Sequence, residues 1–168
     1  MLHLYLSIPD SFSDFRGPGP THTQLYQIAR PSIARMMLEL NDLGVNPFMS
    51  SVYYGRHLLG IELLMRLEPE GMPFLDVQTR RLVLMQTSTQ QSNILHIAAS
   101  RGNLDFMGLI KEHGMEWGLT RDDLCQMLMA QDVHEARPLD MALFQHHQRG
   151  RDRREMVGLL TEWMAELG

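Results

Sequence analysis

Eight histidines, one cysteine, a cluster of arginines and a pair of adjacent tyrosines are the side chains through which this 168-residue chain could do chemistry. Zinc ligation needs imidazoles, thiolates or carboxylates at spacings that bring them to one face of an element. His146 and His147 are neighbours and point in different directions from a helix, and no His-x3-His pair is present. No metal site is expected. Cys125 lies between Leu124 and Leu128 in an apolar helical segment. Burial there would raise the pKa of its thiol and make it inert, so a structural role is expected. Gly17-Pro18-Gly19-Pro20 places prolines where a phosphate-cradling loop must offer N–H donors. No paired carboxylates sit in a hydrolytic motif, and Glu68-Pro69-Glu70 reads as a solvated turn. The expectation is no catalytic residue and no cofactor.

Recognition chemistry remains. Arg149-Gly150-Arg151-Asp152-Arg153-Arg154 is the strongest charge feature, and it reads as a loop between two helices. Arg149, Arg151, Arg153 and Arg154 offer guanidinium forks suited to carboxylates and phosphates, a secondary basic patch. The net charge of −5 disfavours nucleic acid as the main partner. A single cysteine allows no disulfide framework and suits a reducing, cytoplasmic setting. No apolar run approaches the roughly 18 residues of a membrane span, and Met1 to Leu6 has no basic start, so neither membrane insertion nor a signal peptide is expected. Of the 15 basic residues only Lys111 is a lysine. Base composition of a GC-rich genome is one reading. The other is a protein that works beside ubiquitin ligases and gains by lacking modifiable amines, such as a bacterial effector delivered into a host cell.

The elements that must position these groups recur. Asn46 to Gly55 aligns without gaps to Asn93 to Gly102 and to Arg137 to His146, at offsets of 47 and 44 residues. Each stretch opens on a turn-forming residue, with proline second in two of the three. It continues with apolar and small residues at helical spacing, among them Ser51, Ala98, Ala99 and Ala142. Gly55 and Gly102 are terminators able to take a positive φ. A second amphipathic helix follows each time, over Leu58 to Met65, Leu104 to Ile110 and Met156 to Met164, and His113-Gly114 supplies another stop. A further helix precedes each hairpin, over Pro31 to Leu43, Asp76 to Gln86 and Thr120 to Ala130. Met37, Leu84 and Leu128 hold its register, each 11 residues before Phe48, Leu95 and Leu139. The 14 methionines and both tryptophans are expected in or around the core.

The stretch Asn93-Ile94-Leu95-His96-Ile97-Ala98-Ala99-Ser100-Arg101-Gly102, continuing through Leu104 to Gly114, resembles the ankyrin repeat. It looks like the family's Thr-Pro-Leu-His start, with Leu95 and His96 shared, its Ala-Ala pair, its inter-helix Gly and its apolar second helix. The flanking units depart from it, with Met49 and Asp140 at the histidine position and His146 at the Gly position. The resemblance implies an all-α fold, an ankyrin-like solenoid of about three divergent units near 31–67, 76–114 and 119–168, with an extra helix in each. Residues 21–168 would form this domain, and 1–20 a flexible or loosely docked arm. His96 would bond the neighbouring turn.

For function the resemblance implies a non-catalytic module that binds a protein partner on a concave face. The last two residues of each first helix would form the contact ladder: Tyr53 and Tyr54, Ser100 and Arg101, Phe144 and Gln145. Tyrosine and arginine are the types that most often dominate interface energetics. The competing reading of Tyr53 and Phe144 is that they pack beneath the inserted helices. Two alternative functions stand beside a binding module: a structural or regulatory repeat arm of a larger assembly, and an enzyme whose site the sequence does not announce.

Overall fold

The computed structural model describes residues 31–65, 75–146 and 152–167, and every regular element among them is a helix. In chain order these are α1 (31–38), α2 (Pro47–Tyr53), α3 (His57–Met65), α4 (Val77–Met85), α5 (Ile94–Arg101), α6 (Leu104–His113), α7 (Arg121–Met129), α8 (Pro138–His146) and α9 (Asp152–Leu167). The expected arm at 1–20 and the turn at Glu68-Pro69-Glu70 lie outside the described residues.

Helix starts follow from side chains that satisfy the orphan N–H groups of the first turn. Asn46, Asp76, Asn93, Asn103 and Thr120 each accept a backbone N–H from the turn they open. The inserted helices α4 and α7 fall between the expected caps, Asp76 and Gln86, Thr120 and Ala130. Two boundaries differ from expectation. α1 ends at 38, not at Leu43, because Asn41 opens a loop instead. α9 starts at Asp152, four residues before Met156, so Arg153 and Arg154 are helical and not in a loop.

That loop occurs in the same form three times, at Asn41–Val45, Ser88–Ser92 and Asp132–Ala136. In each, the first side chain accepts the N–H groups two and four residues on. Backbone bonds close both ends: Asn41 N–H to Val45 O, Ser88 N–H to Ser92 O, and Asp132 N–H to Ala136 O. The fourth residue is left-handed each time, Gly44 at φ 69°, Gln91 at 57° and Glu135 at 61°. Successive loops are tied edge to edge, Thr89 N–H to Leu43 O and Val133 N–H to Gln90 O, both 3.0 Å. Gly44 is glycine for two reasons: its φ, and a Cβ there would lie 2.6 Å from the Thr89 nitrogen.

A second set of joints runs through the helix caps. Asn46 Nδ2 donates to Val83 O in α4 at 2.9 Å, and Asn93 Nδ2 donates to Met127 O in α7 at 2.7 Å. Arg81 of α4 pairs through both Nε and Nη2 with Asp123 of α7, each bond 2.8 Å. Hydrogen bonds from Arg81 hold the Asp123 carboxyl down at about 2. His96 is fully buried, and its Nε2 lies 3.0 Å from Ala136 O in the next loop, as the resemblance implied. A carbonyl only accepts, so the Nε2 contact requires a ring proton there, while Nδ1 lies 3.3 Å from the Asn93 nitrogen and 2.9 Å from Asn93 Oδ1. Burial holds the imidazole below its ordinary value of 6.5, against the opposing pull of the Ala136 carbonyl and of Asp132 and Asp140.

Packing follows the pairs α2 with α3, α5 with α6, and α8 with α9, while α5 touches both α2 and α8 and α6 touches α9. Phe48, Leu95, Ala98, Ala99, Phe106, Ile110 and Ala142 are fully buried, and Met37, Leu84 and Leu128 join them at the positions their register predicted. Trp117 and Trp163 are also core residues. Burial falls short of expectation at Cys125 and is only partial at Leu109. Leu109 is only half-buried, because it lies on the flank of α6 and not on the stripe of Phe106, Met107 and Ile110. Cys125 is half-buried, its thiol directed toward Leu167 O at 4.0 Å. Gly114 caps α6, as the stop at His113-Gly114 implied, in right-handed backbone at φ −54°, and Gly118 nearby is left-handed at φ 107°.

Candidate functional site

Tyr53 is the last residue of α2 and Tyr54 its C-cap, followed by Gly55 at φ 69°. The chain turns away there, so both rings stand at the helix end, 43% and 72% exposed. They meet edge to face with centroids 5.1 Å apart. Arg101 occupies the same helix-terminal place on α5, before Gly102 at φ 66°. Its Nε donates to Tyr53 O at 3.1 Å, and its guanidinium carbon sits 4.3 Å from the Tyr53 ring centre. An exposed cation–π contact of this kind contributes roughly 0.5–1 kcal/mol. Together the two contacts fix a normally mobile side chain.

Two clefts share the tyrosine pair as a wall. One, of about 360 Å³, runs between the loops and the α2 and α5 helices, with Leu43, Val45 and Ile97 as apolar lining and Ser88, Thr89 and Gln90 along its rim. The other, of about 350 Å³, is polar, lined by His57, Arg101, Asn103 and Asp105. Asn103 is fixed within it: Nδ2 donates to Val52 O at 3.2 Å and lies 3.2 Å from His57 Nδ1, while Oδ1 accepts the Phe106 N–H. Among the described residues no carboxylate lies within ion-pair distance of Arg101.

The structure therefore brings together Tyr53, Tyr54 and Arg101 from the expected ladder. Ser100 is half-buried, with its Oγ donating to Ile97 O in its own helix. Phe144 and Gln145 lie in the last turn of α8, which ends at His146, and Phe144 is 65% exposed, so neither it nor Tyr53 packs beneath an inserted helix. No ring contact joins Phe144 to the tyrosines among the described residues. In the basic patch Arg154 is exposed on the first turn of α9, and Arg153 precedes it. Arg149 and Arg151 lie outside the described residues.

Sequence reasoning missed the loop residues Leu43, Ser88, Thr89 and Gln90. A signal was present: Asn41, Ser88 and Asp132 are the residue types whose side-chain oxygen closes a turn on its own backbone, and they carry the same offsets of 47 and 44 as the helices. Among the described residues no three histidines, cysteines or carboxylates converge as a metal site would require, and no helix is long and apolar enough to cross a membrane. Comparison of the chain with protein-family models, with curated proteins and with solved structures gives no match in any of the three.

Proposed function

We propose that the chain is an ankyrin-like helical repeat of three divergent units that binds a protein partner and catalyses nothing. The repeat reading is supported by the loops and caps: bonds of one pattern recur at one set of offsets and join each loop to the next. The binding reading rests on one observation, the exposed Tyr53–Tyr54 pair with Arg101 locked against it between two clefts. Large aromatic and guanidinium groups held rigid at the surface lose little conformational entropy on association, which is why such groups carry much of the energy of protein interfaces.

A crosslinking pull-down from cell extract with the wild-type chain, compared with the double variant Tyr54→Ala, Arg101→Ala, tests this. The double variant should lose at least about 2 kcal/mol of affinity for the captured protein, the size of an interface hot spot, with its helical signal and melting temperature nearly unchanged. Full-strength capture by the folded double variant would move the site to the arginine patch at 149–154.

A further inference from the structure

The two clefts differ in chemistry while sharing a wall, and that difference selects a ligand. The first is lined by Leu43, Val45 and Ile97 and bears no charged residue. The second holds a guanidinium whose Nε is committed to Tyr53 O and whose face is committed to the Tyr53 ring. What remains of Arg101 is its pair of terminal nitrogens, already oriented and without an ion-pair partner among the described residues. A guanidinium edge in that state is a preorganised donor site for a carboxylate, which accepts two parallel N–H groups. The tyrosine wall is only two residues thick, so one extended segment can place neighbouring side chains on either side of it.

We propose that this surface recognises an extended protein segment carrying an aspartate or glutamate beside an apolar residue, the carboxylate on Arg101 and the apolar side chain in the Leu43–Ile97 cleft. The proposal rests on the reading of this face as a protein-binding surface and names the chemistry of its partner. Asp105 also lines the polar cleft and opposes an incoming carboxylate, so it limits the affinity. The overall charge of −5 adds a weaker, salt-screened opposition, and recognition therefore depends on the short-range fork.

The test uses a phage-displayed random peptide library selected on the full chain, with the selected peptides then measured by fluorescence anisotropy. Enriched peptides should carry an acidic residue next to an aliphatic or aromatic one. Arg101→Gln should weaken them about tenfold or more, the fold-change of a lost charge-assisted hydrogen bond pair, and Asp105→Asn should tighten them. Selection on Arg101→Glu should replace the acidic residue by lysine or arginine at the same position. Peptides that lose affinity in Tyr54→Ala but carry no acidic preference and ignore Arg101→Gln overturn the proposal and leave the binding face standing. Peptides indifferent to both substitutions overturn the face as well. A library that yields no binder overturns recognition of an extended segment.

Discussion

Truncating Asn93 should separate two contributions that one side chain makes. Its Oδ1 accepts the N–H groups of Leu95 and His96 at 2.9 and 3.2 Å, and its Nδ2 donates to Met127 O at 2.7 Å, all with the residue only 2% exposed. Losing an N-cap costs about 1 kcal/mol. Leaving the Met127 carbonyl without its donor in a buried place costs about 1–3 kcal/mol more. Asn93→Ala should therefore lose about 2–4 kcal/mol in a urea titration followed by far-ultraviolet circular dichroism. Asn93→Ser keeps an oxygen able to cap the helix but is too short to reach Met127, so its loss should fall in the range of about 1–3 kcal/mol assigned to the joint alone. A lower denaturant slope alongside that loss would mean a unit has come free of the cooperative transition. Asn93→Ser matching the wild type within about 0.5 kcal/mol would refute the joint between α5 and α7.

The remaining predictions use the same titration or its pH dependence. His96 has a folded pKa below 6.5, so the unfolded chain takes up its proton first. The stability its neutral form contributes should be present above 6.5 and fall as pH drops toward the folded value, and His96→Gln should flatten that limb. Asp123 is held at about 2 by Arg81, so its contribution is present above its ordinary value of 3.8 and is lost as pH falls toward 2. With Arg81 partly exposed to screening water, Asp123→Asn should cost about 1 kcal/mol near neutrality and nothing at the acid end. Leu95→Ala should cost about 2–5 kcal/mol, and half-buried Leu109→Ala clearly less; equal losses would contradict their different burial. Gly60→Ala should be destabilising by about 1–3 kcal/mol, because its Cβ would come within 2.9 Å of Phe48 Cδ2 where α3 crosses α2.

Much of the helical order was legible because it is written in local chemistry. Capping residues such as Asp76 and Thr120 mark their helices to within a residue, and the 11-residue step from Leu84 to Leu95 carries register from one helix to the next. The misplaced boundaries have a physical pattern. Asn41 interrupts a segment whose composition still suits a helix, since its side chain offers Leu43 and Val45 N–H groups an alternative partner. At the start of α9 the reverse holds: a charged run that looks like a loop continues as the solvated turn of a helix. The site was legible only as helix-end positions. That Arg101 reaches back to Tyr53, while Ser100 turns to its own helix, depends on how α5 packs against α2, and spacing does not encode it.

The joints between Thr89 and Leu43 and between Val133 and Gln90 run in the same sense, each loop donating to the one before it. The middle segment is thus a part with one socket and one plug of matching shape. A gene duplication that copied residues 88–131 in frame would present the same plug to the same socket, while side-chain pairs such as Arg81 with Asp123 would have to be replaced, since Cys125 stands 44 residues after Arg81. Loss of a few residues within a segment has no such remedy, because it shifts plug against socket. On the repeat reading proposed above, variation in length is expected in steps of a full unit or within the connections that the joints leave untouched.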